Sequence, residues 1–349
     1  MQFGIDLGGT KTEIIVLDDA GQVRFKQRVA TPSDSYEAIL QTIVALVRQA
    51  ESTLSAVSAP STKATCLGVG APGTPFGSEG RLKNANTTCL IGQPLATDLQ
   101  ALLQIPVVVE NDANCLVLSE AVDGAAARGT VVFGVILGTG VGGGLAINQQ
   151  LINGPNRITG EWGHNPLPHW FKQQDHSHPK ANKDNTVNTA ATATTRPCYC
   201  GLTDCIETYL SGKGLCQTYR ELRSGTAAQR TAALTDASAI AAAALQADPA
   251  AQSALNQYYN ALSQSLATVI NVIDPDVIVF GGGLSQLPGL CDAVHDRLSQ
   301  HVFGGDMQTE LVIAKHGDAS GVRGAAWLTR HIVETCPTTN SHHKPPPAT

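Results

Sequence analysis

Strand, glycine turn, strand occurs twice in this chain, about 130 residues apart. The first copy runs from Met1–Asp6 through Gly8-Gly9-Thr10-Lys11 into Thr12–Asp18, with a third strand at Val23–Val29. The second runs from Val131–Leu137 through Gly138–Gly144 into Leu145–Asn148. Such a repeat predicts a duplicated architecture with one anion-holding hairpin per domain, because glycine lets backbone N–H groups approach an anion closely. Strand-like runs at Cys66–Val69, Val107–Glu110, Val277–Phe280 and Leu311–Ala314 alternate with helical spacing. The helical stretches are Tyr36–Gln49, Ala113–Val122, 232–273 with a break near Pro249, Pro288–Gln300 and Gly321–Val333. Alternation of this kind means α/β layers, and the hairpin openings mean mixed sheets.

With 349 residues the chain is long enough for two domains. The expected division is 1–118, completed by the last helix at about 319–335, and 119–318. The formal net charge of −6 and the lack of any basic run argue against a nucleic-acid surface. The apolar runs are strand-sized, which argues against a membrane span. MQFGIDLGGT has neither a basic nor a long apolar leader segment, so a cytoplasmic protein is expected. Nine cysteines, an odd number, fit a reducing compartment. The stretch Phe171–Pro197 is polar and reads as an exposed insertion, and 337–349 reads as a disordered tail.

Three glycine stretches are candidates for holding phosphate: Gly8-Gly9-Thr10-Lys11, Gly138-Thr139-Gly140 and Gly281-Gly282-Gly283. Each follows a strand, and Asp6, ahead of the first, suits a Mg²⁺ that keeps most of its waters. Gly138-x-Gly140-x-x-Gly143 and Gly68-x-Gly70-x-x-Gly73 formally match the dinucleotide fingerprint. That fingerprint needs a following helix, whereas the first leads into a strand and the second contains Pro72. No G-x-x-x-x-G-K-[ST] occurs, which excludes a P-loop.

Asn111-Asp112 stands where a strand hands over to a helix, a position that suits an N-cap or a carboxylate accepting a proton during phosphoryl transfer. The transition state of that reaction is loose, so orientation of the base matters more than its basicity. Cys198-x-Cys200-x₄-Cys205 places three thiols within eight residues. One histidine would complete a Cys₃His zinc tetrahedron. His164 is the best candidate, with His169, His176 and His178 as alternatives. Glu161 and Glu207 flank the cluster as ionised acceptors for hydroxyl groups, and are equally readable as surface ion-pair partners.

Taken together, Asp6-Leu-Gly-Gly-Thr-Lys11, Gly70-Ala-Pro-Gly73, Glu110-Asn-Asp-Ala-Asn114, Leu137-Gly-Thr-Gly140, Gly160-Glu-Trp-Gly-His164, Cys198-Tyr-Cys-Gly201 with Cys205-Ile-Glu207, and Gly281–Gly283 resemble the motif series of ROK-family sugar kinases, in order, from about residue 4 to 330. Within that family, Lys83-Asn-Ala-Asn86, Gly92-Gln-Pro94, Gly160–Pro168, Pro197–Glu207 and Ala314–Leu328 most resemble bacterial fructokinases, with N-acetylglucosamine kinases next. The resemblance implies an actin/hexokinase-like two-domain fold with a cleft active site. It also implies ATP-dependent phosphorylation of the fructose 6-hydroxyl, with mannose as a second substrate. N-acetylglucosamine, N-acetylmannosamine or glucose is the alternative. It implies Asp112 as base and sugar contacts from Asn86, Asn111, Asp112, Glu161, His164 and Glu207. ATP would meet Asp6, Gly8, Gly9, Thr10, Lys11, Gly138, Thr139, Gly140, Gly282 and Gly283, with Mg²⁺. Zinc would sit on His164, Cys198, Cys200 and Cys205, His164 giving one ring nitrogen to the metal and one to the sugar. A homodimer is implied, and DNA binding, known for repressors of the family, is not. Two departures stand out: Asp204 replaces the usual glycine before Cys205, and the gap from His164 to Cys198 is long. Aspartate tolerates the left-handed region better than most residues, so the turn is expected to survive.

Overall fold

The computed structural model describes residues 1–57, 62–77, 79–83, 85, 87–168, 195–223 and 234–330. It divides into two units: Met1–Asp112 with the chain from Val322 on, and Ala113–Gly321.

The first unit opens with β1 (Gln2–Leu7), β2 (Lys11–Leu17) and β3 (Val23–Ala30), an antiparallel meander. Helix α1 (Tyr36–Val57) follows, then β4 (Leu67–Ala71), a small ribbon of β5 (Thr74–Phe76) and β6 (Arg81–Lys83), helix α2 (Leu95–Leu103) and β7 (Val107–Asn111). The sheet order is β3-β2-β1-β4-β7, with β1, β4 and β7 parallel. All five residues of β4 are buried, as expected for a parallel strand covered on both faces. Ile39, Ile43, Val47, Ala50 and Leu54 recur at helical spacing along α1 and close the core against Phe3, Ile5, Leu67 and Val69.

The second unit repeats this plan. Helix α3 (Asp112–Val122) leads into β8 (Val131–Leu137), β9 (Val141–Ile147) and β10 (Gln150–Leu151), again an antiparallel meander. Helices α4 (Glu207–Leu210), α5 (Gly212–Leu222), α6 (Ala237–Leu245) and α7 (Pro249–Ile273) follow, then β11 (Val277–Gly281), α8 (Leu290–Leu298), β12 (Glu310–Ile313) and α9 (Ser320–Trp327). The order β10-β9-β8-β11-β12 matches the first sheet strand for strand, with β8, β11 and β12 parallel. The helical break near Pro249 is a cap: the Asp248 carboxylate accepts from Ala251 N at 2.8 Å, and Pro249 starts α7 where no N–H is needed.

One expectation needs correction. Gly142, Gly143 and Gly144 belong to strand β9, and the turn is confined to Gly138–Gly140. Close packing explains glycines inside a strand. Gly134 and Gly144 are cross-strand partners under α3, and a Cβ on either would fall 2.0 or 3.0 Å from Val117 Cγ2. Helix α3 is thereby seated directly on the backbone of the β8–β9 hairpin.

The far end of α3 is held by one carboxylate. Glu120 is fully buried. Its oxygens accept from Ala125 N (2.8 Å), Lys315 N (2.9 Å), His316 N (3.1 Å) and Ser320 Oγ (2.9 Å). It thus joins the end of α3 to the turn that starts α9. Replacement of Glu120 by alanine would remove the shared acceptor of four donors, of which Ser320 Oγ is buried and the other three part-buried, and an orphaned buried donor costs about 1–3 kcal/mol. Glu120→Ala is expected to destabilise the protein by at least about 3 kcal/mol, measured as a lowered midpoint in urea or heat denaturation.

Candidate active site and metal centre

In the first unit the parallel ladder lines up the chemistry. Asp6 of β1 pairs with Gly70 of β4, which pairs with Glu110 of β7. Asn111 and Asp112 follow at once, at the carboxyl end of the sheet, where α/β folds place their ligands. Asp112 is exposed, whereas Asp6 is half-buried. The Asp6 carboxyl is pushed up to about 6, first by burial and then by the Asp112 and Glu13 carboxylates, with Arg28 opposing. Asp6 and Asp112 are thus electrostatic neighbours, and near neutral pH Asp6 is mostly ionised and able to attract a cation. Asn111 Nδ2 donates to Gly73 O at 3.3 Å, fixing the amide against the Gly70–Gly73 segment. The Gly8–Lys11 turn closes through Gly8 N to Lys11 O at 3.0 Å, and Thr31 Oγ1 donates to Gly8 O at 2.8 Å. Gly9, Thr10 and Lys11 are exposed.

In the second unit, Gly138–Gly140 ends β8 and Gly281–Gly283 ends β11, its parallel neighbour, in register through Ile136 and Gly281. Both turns therefore lie at one edge of one sheet. Gly138 O accepts from Gly212 N at 2.9 Å, and Val141 N donates to Glu207 Oε2 at 2.9 Å.

The metal cluster forms where two distant segments pair. Pro166 bridges Cys205, Leu167 N donates to Asp204 O at 2.8 Å, and Ile206 N to Asn165 O at 2.9 Å. Trp162, buried, donates its indole N–H to Gly142 O at 2.9 Å and pins the Glu161–His164 turn to β9. The result brings one ligand atom each of His164, Cys198, Cys200 and Cys205 within 4.8 Å of one another. Cys198 Sγ lies 3.6 Å from His164 Nδ1, and Cys200 Sγ lies 3.6 Å from Cys205 Sγ. A tetrahedron with Zn–S bonds of about 2.3 Å has S···S edges of roughly 3.8 Å, so this donor set fits zinc in both chemistry and spacing. The Cys200 thiol is lowered, chiefly by the Leu202 N–H, whereas burial and the neighbouring thiols hold Cys205 up to about 12. Binding a metal must therefore displace protons.

His164 is the histidine that joins the thiols among the described residues. His169, His176 and His178 lie outside the described residues, as do Asn86, most of the 171–197 insertion and the 337–349 tail. The His164 ring turns Nδ1 to the sulfurs. Its Nε2 lies 3.0 Å from Tyr199 Oη and 4.0 Å from Glu161 Oε2. Tyr199, highly exposed, was not singled out by sequence reasoning, although its position between two clustered cysteines is a signal.

Asp204 does adopt the left-handed region, with φ 57°. Its side chain offsets the strain: Oδ1 accepts from Arg196 N at 3.0 Å and Tyr209 Oη at 2.6 Å. Arg196 is itself buried, stacks 4.1 Å above the Tyr209 ring, and donates to Thr208 O, Gly214 O, Thr218 Oγ1 and Glu221 Oε2. This polar network, invisible to motif reading, anchors the cysteine loop to α4 and α5.

Comparison with known proteins agrees with this architecture. Residues 2–332 match the ROK family. The N-acetyl-D-glucosamine kinase of Shigella flexneri is 37% identical over 329 residues, spanning 94% of this chain and 99% of that protein. Among solved structures, a ROK hexokinase from Thermus thermophilus superposes with a TM-score of 0.77 at 25% identity, covering 95% of this chain and 99% of that one. A ROK family glucokinase from Streptomyces griseus, solved with glucose and AMPPNP, gives 0.67 at 26% identity, covering 95% and 99%. The expectation of fructose as first substrate is overturned: near-full-length relatives at 37% identity are N-acetyl-D-glucosamine kinases. The fold is the actin/hexokinase-like fold of these kinases, and the chain belongs to the ROK family as a sugar kinase.

Proposed function

We propose that this protein is an ATP-dependent N-acetyl-D-glucosamine kinase that transfers the γ-phosphoryl group to the 6-hydroxyl of the sugar. The observation that carries the reading is 37% identity to N-acetyl-D-glucosamine kinases across 94% of the chain.

In this reading Asp112 is the base. The sugar hydroxyl oxygen forms its bond to the γ-phosphorus as the bond from that phosphorus to the bridging oxygen of ADP breaks, and the hydroxyl proton passes to the Asp112 carboxylate. An exposed carboxylate at a strand end suits this task, since the loose transition state asks the base to orient the hydroxyl more than to pull its proton. Asn111, Glu161, His164 and Glu207 hold the sugar hydroxyls, carboxylates being strong acceptors for them. The backbone turns Gly8–Lys11, Gly138–Gly140 and Gly282-Gly283 receive the nucleotide. Mg²⁺ bound with ATP would neutralise charge on the phosphates, and Asp6 is the residue that would hold it through water. Zinc on His164, Cys198, Cys200 and Cys205 would be structural, fixing the loops that carry Glu161 and Glu207. A homodimer working in the cytoplasm completes the reading. No helix among the described residues is long and apolar enough to cross a membrane.

The test is ADP release with ATP and Mg²⁺ against N-acetylglucosamine, N-acetylmannosamine, glucose, mannose and fructose. The highest kcat/KM is expected with N-acetylglucosamine. A higher value with any other sugar removes the substrate assignment, and no turnover with any of them removes the activity. Asp112→Asn is expected to keep sugar binding within about threefold and lose at least about 1,000-fold in kcat, a loss of about 4 kcal/mol of transition-state stabilisation. Metal analysis is expected to find about one zinc per chain. Cys200→Ser is expected to lose the metal and lower the melting temperature together.

A further inference from the structure

The mechanism above uses Glu207 as a sugar ligand and Gly138–Gly140 as a nucleotide turn, as if the two were separate. In the structure they touch. Val141, the residue that leaves the turn, donates its N–H to Glu207 Oε2 at 2.9 Å. The other end of the turn is tied to the same helical segment, since Gly138 O accepts from Gly212 N at 2.9 Å, between α4 and α5. The contact is close. A Cβ on Gly140 would lie 2.6 Å from Glu207 Oε2, and among the described residues apart from its chain neighbours only that carboxylate lies within 4 Å. Gly140 does not have positive φ, so its backbone conformation would accept a side chain. A side chain at this position would therefore have to displace the Glu207 carboxylate.

Glu207 is half-buried and is the first residue of α4, two residues after Cys205. Its backbone is therefore set by the cysteine loop, through Thr208 N to Cys205 O at 2.9 Å and Ile206 N to Asn165 O at 2.9 Å. Among the described residues Oε2 is engaged and Oε1 has no hydrogen bond. A carboxylate offers about four lone-pair sites and can serve two donors on different sides.

We propose that Glu207 is a shared positioning residue. One oxygen holds the sugar and the other holds Val141 N, so that sugar occupancy sets the turn that receives the nucleotide phosphates. The inference rests on the sugar-kinase reading of Glu207. Physically, a bound hydroxyl restricts the carboxylate to one rotamer, and the rotamer that faces the sugar keeps the bond to Val141 N. Ordering one ligand's contacts then lowers the ordering cost for the next, which is a positive coupling between the two substrates and reciprocal by linkage.

The test is made on the full chain by calorimetry with N-acetylglucosamine and no nucleotide. Gly140→Ala alters a residue assigned to the nucleotide, yet it is expected to raise the sugar Kd at least fivefold by displacing the carboxylate. In a Glu207→Ala background the same change is expected to alter the sugar Kd less than twofold, a coupling that a double-mutant cycle isolates. If Glu207→Ala raises the sugar Kd and Gly140→Ala leaves it within twofold, Glu207 remains a sugar ligand and the shared role is overturned. If Glu207→Ala itself leaves the sugar Kd unchanged, the sugar-site reading fails and takes the proposal with it. A measurement on the unmodified protein stands apart from any folding defect. Hydrogen exchange at the Val141 amide is expected to slow at least tenfold when N-acetylglucosamine binds without nucleotide, and unchanged exchange overturns the proposal.

Discussion

The register of the two parallel ladders is the constraint on which everything else depends. Pairing of Asp6 with Gly70 and of Gly70 with Glu110 stops three strands at one level, so Asp6, Asn111 and Asp112 share an edge. Side chains alternate with period two, so a slip of one residue would turn Asp6 to the opposite face. In the second unit the pairing of Ile136 with Gly281 brings two glycine turns level in the same way. The turns need no side-chain chemistry of their own. What they need is backbone N–H groups at the end of a rigid sheet, and buried apolar strands such as β4 and β11 supply the rigidity.

The cysteine loop depends on a different kind of support. Its two halves are far apart in sequence, and they are brought together by a bridge of two backbone hydrogen bonds between 165–167 and 204–206. Closing a longer loop costs little, about 0.6 kcal/mol for each doubling of length. The long gap between His164 and Cys198 is therefore tolerable if its exit is well anchored. Arg196 provides that anchor two residues before the first cysteine, with its buried guanidinium held by two carbonyls, a hydroxyl, a carboxylate and an aromatic face. Asp204 completes it by accepting from the Arg196 backbone. Asp204 is thus a working part of the network. A glycine at 204 would adopt the same φ with less strain and would remove the carboxylate that accepts from Arg196 N and Tyr209 Oη.

Much of this was legible in the residues. The duplicated hairpin announced two sheets of one plan, because strand, turn and strand carry period-two patterning that survives in any context. The cysteine spacing with His164 announced four metal-ligating side chains, which the fold brings within 4.8 Å of one another. Helices α2, α4 and α5 went unread: α2 and α4 are short, and α5 begins with Gly212-Lys-Gly214, weak helix formers held by Ser211 Oγ accepting from Gly214 N at 3.1 Å. The glycines of β9 were read as turn because a lone glycine gives no sign of the Val117 side chain that demands it. Tyr199 on His164 and Glu207 on Val141 were beyond reach for a similar reason, being contacts between segments whose approach only the fold decides.

Substrate identity shows where residue types stop carrying information. Asn111, Glu161, His164 and Glu207 present amide, carboxylate and imidazole groups, and each of these can satisfy any vicinal hydroxyls of a hexose. Discrimination between a ketose, an aldose and its 2-acetamido derivative rests instead on shape and on polar groups left unpaired by the wrong ligand. Those are properties of the pocket wall rather than of its hydrogen-bonding set. Tyr199, inside the cysteine motif, presents an exposed ring edge-on to His164 with centroids 5.1 Å apart. Tyr199 Oη already lies 3.0 Å from His164 Nε2, so any ligand that takes that nitrogen must displace it. The motifs therefore identify a kinase for sugars, and the residue types they carry leave the choice among sugars open.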